Sequence, residues 1–220
     1  MSQIVPPSFL FQYALPMVRI DQLPGRAGSP LRLPPSASVM LPAQLNVAEL
    51  PWSLRAAWNS EGLGFEVRVR RKQIPPAGRW SSPTSSDRVL ILLDTRPTAG
   101  VQRATEFCSL LTVLPLDDDQ DEQPSARFIE IAQQRTQKLA QDPRRCRVET
   151  VLSSDGYQLS VWIPGSQLPG FAELAETRAL GLYVVIEDAE LGQLPMSVGG
   201  DFPLAWNPSI WTRMELTDES

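Results

Sequence analysis

The sequence predicts an all-β fold, an antiparallel β-sandwich of about nine or ten short strands joined by proline-rich loops. Short runs of alternating apolar and polar residues recur along the chain, as in strands with one buried face. Turn-forming residues separate these runs at intervals of about 8 to 15 residues, and no long helical pattern interrupts them. The 21 prolines, roughly twice the average usage, disfavour helices and central strand positions and therefore keep the elements short.

The first 72 residues contain four predicted strands. Residues 9–20 alternate loosely and form the first strand, with Pro16 at an edge or a bulge. A loop rich in proline and glycine follows at 21–36, and a short second strand is predicted at 37–45. The third and fourth strands, LRAAWN and FEVRVRRK, form a hairpin around a turn at 60–64.

Further strands are predicted at residues 88–96, 104–114, 145–153, 157–164, 179–188 and 211–216, and a less regular one, with imperfect alternation, at 127–137. The runs RVLILLDTR and ALGLYVVIED are almost continuously apolar, which is typical of strands covered on both faces. The turn SSDG joins two of these strands into a second hairpin. The pattern at 104–114 also fits a helix, and SQLPGFAEL fits a short helical turn. The acidic run DDDQDEQP is predicted to be a solvated loop, because like charges this close together repel each other.

Charge and hydropathy exclude several classes of partner. The net charge is −5, the pI is about 4.9 and no basic stripe is present, so nucleic acid is not an expected partner. No stretch approaches the roughly 20 apolar residues of a membrane span, and the first residues lack a signal-peptide pattern. Cys108 and Cys146 are too few for a disulfide framework and are expected as thiols. Together these features predict a cytoplasmic protein.

The sequence contains no histidine, which argues against most catalytic chemistry. Histidine-dependent triads, metal sites, haem ligation and the commonest general base are excluded. No glycine-rich phosphate loop and no GxSxG motif occurs. The acid pairs Glu173/Glu176 and Asp188/Glu190 are formal candidates for a carboxylate-based hydrolase, but nothing in the sequence places either pair across a cleft. A non-enzyme is therefore predicted.

Five segments in a fixed order carry a family resemblance: LRAAWNSEGLGFEVRV, SSDRVLILLDTR, YQLSVWIPGSQL, ALGLYVVIEDAELG and NPSIWTRMEL. In this order the chain resembles the family 9 carbohydrate-binding modules and their DOMON-like relatives, over about residues 50–217. It is more similar to bacterial sandwich proteins of this superfamily without a characterised role than to the sugar-binding members. The resemblance implies one domain over 1–220, with an N-terminal strand extension at 1–45 and a sandwich core at 46–217.

The resemblance also implies a site in which two tryptophans flank a sugar ring. The apolar face of a pyranose stacks on indole rings, while charged and amide side chains bind its hydroxyls. The residues of this chain that match the scheme in position are Trp80, Asp87, Arg96, Trp206 and Asn207, with Trp211 as the alternative second tryptophan and Arg103 as a further arginine after the same strand. Packing competes with this role for the two tryptophans, and loop capping competes with it for Asp87. Three other tryptophans lie in strand patterns and are predicted to be core residues: Trp58, Trp162 and Trp211.

The predicted function is a non-catalytic module that binds a carbohydrate or a similar polar ligand in a cleft at the loop ends. The alternative is a protein-interaction or structural sandwich domain that has lost the sugar site, with a protein as its partner. No cofactor is expected from the residues, although the resemblance implies structural calcium held by Asp and Glu oxygens. Some DOMON-like relatives bind haem through Met and His, a role that a chain without histidine does not fit.

Overall fold

The computed structural model describes residues 13–26, 30–47, 49–134, 140–199 and 202–218. Parts of three predictions lie outside these residues: 9–12 of the first strand, 27–29 of the first loop and 135–137 of a later strand. The described strands are β1 (Ala14–Arg19), β2 (Ser38–Val39), β3 (Trp52–Asn59), β4 (Gly62–Arg70), β5 (Arg88–Asp94), β6 (Cys108–Asp117), β7 (Gln123–Ile129), β8 (Arg147–Ser153), β9 (Gly156–Pro164), β10 (Ala179–Asp188), β11 (Gly192–Pro195) and β12 (Thr212–Thr217).

Helical structure is scarce in the described chain. One α-helix, α1 (Leu174–Thr177), follows two 3₁₀ turns in the segment where a short helical turn is predicted. The run at 104–114, whose pattern fits a strand or a helix, contributes to β6 and is a strand. Within the described ranges, no helix has the length and hydropathy needed to cross a membrane.

Ten strands form one hydrogen-bonded path in the order β7-β6-β5-β10-β12-β1-β3-β4-β9-β8, while β11 pairs with β10 and β2 with β3. The all-β prediction is confirmed. The prediction of a wholly antiparallel sheet is wrong at β1, which runs parallel to both β12 and β3. Parallel neighbours need a long crossover, and the chain between β1 and β3 supplies it. The edge strands β7 and β8 lie close together, so the sheet nearly closes.

Both predicted hairpins are confirmed. β3 and β4 pair down to Asn59↔Gly62, and β8 and β9 down to Ser153↔Gly156, so each loop contains two residues. The first turn is shorter than predicted because Gly62 belongs to β4. A Cβ atom at Gly62 would lie 2.3 Å from the carbonyl oxygen of Ile163 on β9, so the close pairing of β4 with β9 requires glycine there.

β10 is the most completely enclosed strand. Its residues are buried except for Glu187, and the last four residues of β5 are buried as well, which confirms two strands covered on both faces. The segment after β11 continues along β10: the Met196 N–H donates to Val184 O at 2.9 Å, and the Tyr183 hydroxyl donates to Val198 O. The tryptophans predicted to lie in the core are buried, namely Trp58, Trp162 and Trp211.

Candidate functional site

The residues predicted to share one sugar site lie at opposite ends of β5. Trp80 and Asp87 precede this strand and Arg96 follows it, and its seven residues span about 23 Å at roughly 3.3 Å per residue. Trp206 and Asn207 lie at the Arg96 end, because Trp206 O accepts a hydrogen bond from the residue at 104, shortly before β6. The structure therefore does not form the predicted cleft with Trp80 and Trp206 on either side of one ring.

Trp80 is half-buried and held by its neighbours. Its indole N–H donates to the Ser125 hydroxyl at 2.8 Å, and the Ser125 hydroxyl donates to Asp117 at 2.6 Å. The guanidinium carbon of Arg127 lies 4.5 Å from the centroid of the indole ring. Asp117 is buried at the end of β6, so the prediction of a solvated loop is wrong at this residue. Its carboxylate is stabilised there by Ser125 and by the backbone N–H of Asp119.

Asp87 belongs to a group that we call the Lys72 cluster: the buried residues Lys72, Asp87 and Asp188 and the more exposed Glu190. The Lys72 ammonium lies 2.8 Å from Asp188, 3.4 Å from Asp87 and 3.9 Å from Glu190, and the Lys72 side chain is 1% exposed. Asp87 also accepts backbone N–H groups from Ala77 at 3.0 Å and from Ala189 at 2.7 Å. This geometry matches the loop-capping interpretation of Asp87. The Lys72 ammonium also contacts Asp188 and Glu190, the acid pair that was a formal candidate for a carboxylate-based hydrolase.

The Lys72 cluster was missed by the sequence interpretation. The sequence gives only a weak indication of this cluster, namely that Lys72 is one of two lysines in a chain whose other basic residues are arginines. The three acids come from two separate segments, and only the pairing of β5 with β10 brings them around one ammonium.

At the other end of β5, the predicted contacts also have structural partners. The Arg96 guanidinium donates to Glu173 and lies 4.1 Å from the centroid of the Phe107 ring. The Asn207 side chain caps a 3₁₀ turn by accepting the Ser209 N–H at 3.1 Å. Trp206 is half-buried and packs against the hydrophobic core. These residues position loops. Arg96 precedes Pro97 and Asn207 precedes Pro208 in the chain, and both prolines line a cavity.

This cavity, which we call the outer-face cavity, has a volume of about 530 Å³. Its lining residues are Tyr13, Ala14, Asp94, Pro97, Thr98, Ala99, Gly100, Ser197, Val198, Pro208, Ser209, Ile210, Trp211, Thr212 and Arg213. Hydroxyl groups and two charged side chains thus alternate with proline, aliphatic and indole surface. A mixed lining of this size is typical of small-ligand sites.

The pairing register of four neighbouring strands brings residues together at the base of the outer-face cavity. Ala14 pairs with Arg213, Arg213 with Gly181, and Gly181 with Asp94, across four neighbouring strands. Directly paired residues point to the same face of a sheet, so Arg213 and Asp94 stand on either side of a position without a side chain. A Cβ atom at Gly181 would lie 3.1 Å from the Asp94 Cβ. Glycine therefore leaves a notch between an acid and a base.

The two charged groups of the outer-face cavity differ in exposure. Arg213 is exposed, whereas Asp94 is buried. Burial raises the pKa of the Asp94 carboxyl, while hydrogen bonds from the Arg96 N–H at 3.0 Å and from the Cys108 thiol lower it in part. Sequence reasoning placed Asp94 at the end of a strand but missed the cavity, because Asp94 and Arg213 come to line it together only through strand register.

The metal prediction has no site in the described part of the chain. Over those residues, no group of three or more Asp, Glu, Cys or His side chains is arranged to hold a metal ion. The carboxylates of Asp87 and Asp188 already bind the Lys72 ammonium and backbone N–H groups. Structural calcium stays a prediction.

Comparison with known proteins identifies the fold. No protein-family model and no curated protein matches the chain. A carbohydrate binding module family 9 from Caldicellulosiruptor kristjanssonii in complex with cellotriose matches with a TM-score of 0.53 and 17% identity, over 77% of this chain and 76% of that chain. A family 9 module from the same organism in complex with glucose matches with a TM-score of 0.53 and 18% identity, over 77% and 78%. The chain therefore has the fold of these modules.

Proposed function

We propose that this chain is a non-catalytic module that binds a carbohydrate or a similarly polar ligand in the outer-face cavity. The observation that carries the proposal is the composition of that cavity, in which Asp94, Arg213 and several hydroxyls face apolar wall residues. Sugars combine apolar C–H faces with hydroxyls that donate and accept hydrogen bonds, so they match such a lining. The fold supports the same class, since both similar structures are binding modules in complex with sugars.

We also propose that the nearly closed sheet is a β-sandwich in which β1 joins two packed layers. One layer is β7-β6-β5-β10-β12 and the other is β3-β4-β9-β8. Hydrophobic residues from both groups of strands belong to the same buried cluster, as expected for the inner faces of a sandwich. In this arrangement the outer-face cavity lies on a sheet face of the first layer rather than in a cleft between loop ends.

Calorimetric titration with glucose and cellotriose, followed by a glycan array, tests the proposed function. Arg213→Ala removes an exposed cavity side chain, so it is expected to weaken sugar binding about tenfold while leaving stability within about 0.5 kcal/mol. Arg68→Ala is the matched control, because Arg68 is an exposed arginine on β4, outside the cavity lining. Equal sugar affinity of the two variants would place the site elsewhere, and the absence of sugar binding by the unmodified protein would refute the proposal.

A protein-interaction role is the second candidate, favoured by apolar residues on an edge strand. Val151 is 60% exposed and Leu152 50% exposed, and both lie on β8, at one end of the strand path. Exposed edges with apolar side chains are suited to pairing with another chain. A protein that binds no sugar in the calorimeter and self-associates less after Val151→Lys would favour this role.

A further inference from the structure

Two buried carboxylates lie at the two ends of β5, and their charged neighbours differ. Asp87 is 3% exposed and Asp94 is 4% exposed. Asp87 lies 3.4 Å from the Lys72 ammonium. Asp94 accepts the Arg96 backbone N–H and the Cys108 thiol, and no Lys or Arg nitrogen of the described chain lies within 4.0 Å of its carboxylate. The carboxylate that faces the outer-face cavity is therefore the one without a cation.

Two basic side chains of this region, Arg96 and Arg213, form no ion pair with Asp94. Arg96 follows Asp94 by two residues, but its guanidinium binds Glu173 and stacks on the Phe107 ring. Arg213 stands two strands away, across Gly181, at about 10 Å between backbones for strands roughly 4.8 Å apart. Gly181 thus adds no side chain between Asp94 and Arg213, and the two charged residues line the same cavity without forming an ion pair.

An ionised carboxylate is unfavourable away from water unless a cation or several donors compensate it. The raised pKa of Asp94 expresses this cost, since burial is its leading cause. A ligand that brings its own positive charge into the notch supplies the missing partner, whereas a neutral hydroxyl supplies only a hydrogen bond. We infer that the outer-face cavity selects an amino sugar, whose ammonium group pairs with Asp94.

The rest of the cavity favours a sugar amine over other cations. A divalent metal ion needs several oxygen ligands with negative charge, and Asp94 is the one acid among the lining residues. The hydroxyls of Thr98, Ser197 and Ser209 match a ligand with several hydroxyl groups. This inference rests on the proposed function, because it names the ligand class for the same cavity.

The experiment compares glucosamine, glucose and N-acetylglucosamine by calorimetry near neutral pH, where most of the free amine is protonated and a carboxyl of raised pKa is more ionised than at acidic pH. Glucosamine is expected to bind about ten- to a hundred-fold more tightly than either neutral sugar, as for hydrogen bonds to a charged partner. In Asp94→Asn, a neutral variant of the same shape, this preference is expected to disappear. Glu215→Gln is the matched control, because Glu215 is an exposed acid on β12 outside the cavity lining. It should retain the full preference.

The possible outcomes distinguish the amino-sugar inference from the proposed function, carbohydrate binding. Equal binding of glucose and glucosamine would overturn the amino-sugar inference and leave carbohydrate binding intact. Failure of all three sugars to bind would defeat the proposed function, and the inference with it. A preference for glucosamine that survives Asp94→Asn, or that Glu215→Gln also abolishes, would show that Asp94 is not the group that recognises the amine. Thermal melting of each variant verifies that the fold is retained.

Discussion

Replacing Lys72 by methionine tests whether the Lys72 cluster stabilises the fold. Lys72 is buried, and its ammonium is the cation shared by Asp87, Asp188 and Glu190. Methionine has a similar length but no charge, so the variant leaves buried carboxylates without their cation. Breaking a buried ion pair by removing one partner costs about 3–5 kcal/mol. We expect Lys72→Met to lose that much free energy of unfolding.

Urea denaturation followed by circular dichroism measures this loss, which corresponds to a fall in melting temperature of about 6–20 °C for a domain of this size. Asp188→Asn in the Lys72→Met background removes one uncompensated charge, so the double variant is expected to recover part of the lost stability. Arg144→Gln, which breaks the exposed ion pair with Asp142, is the control and should cause no resolvable change. A loss below about 1 kcal/mol in Lys72→Met, or no recovery in the double variant, would refute this account.

Three further predictions concern other buried groups. Ser125→Ala leaves the buried Asp117 carboxylate without a donor at 2.6 Å and is expected to cost about 1–3 kcal/mol by urea denaturation; an unchanged stability would contradict the role of Ser125. Gly62→Ala places a Cβ 2.3 Å from backbone and should lower the melting temperature, whereas Gly199→Ala, with open space around its Cβ, should leave it unchanged. Burial, with a smaller effect of a nearby carboxylate, raises the pKa of the Cys146 thiol to about 12. It stays protonated at any pH well below 12, so mass spectrometry should show slow alkylation of the native protein up to about pH 10 and fast alkylation after unfolding.

The fold class was accessible from the sequence because its signals are local. Alternation over a few residues specifies a half-buried strand, and a two-residue polar turn between such runs specifies a hairpin. For this reason the β3–β4 and β8–β9 hairpins were predicted, as were the enclosed strands β5 and β10. The absence of histidine likewise excludes histidine-dependent triads and histidine metal ligands on composition alone.

The tertiary structure alone decided which residues meet. Pairing between strands distant in the chain leaves no periodic trace, so the parallel insertion of β1 and the nearly closed sheet were not predicted. The length of β5 separates Trp80 from Trp206, two residues that the family resemblance assigned to a single site. Register across four strands places Asp94 beside Gly181 and Arg213. Composition and pattern thus determined what kind of sheet this chain forms, whereas long-range register determined where its buried charges have partners and where one of them faces an open cavity.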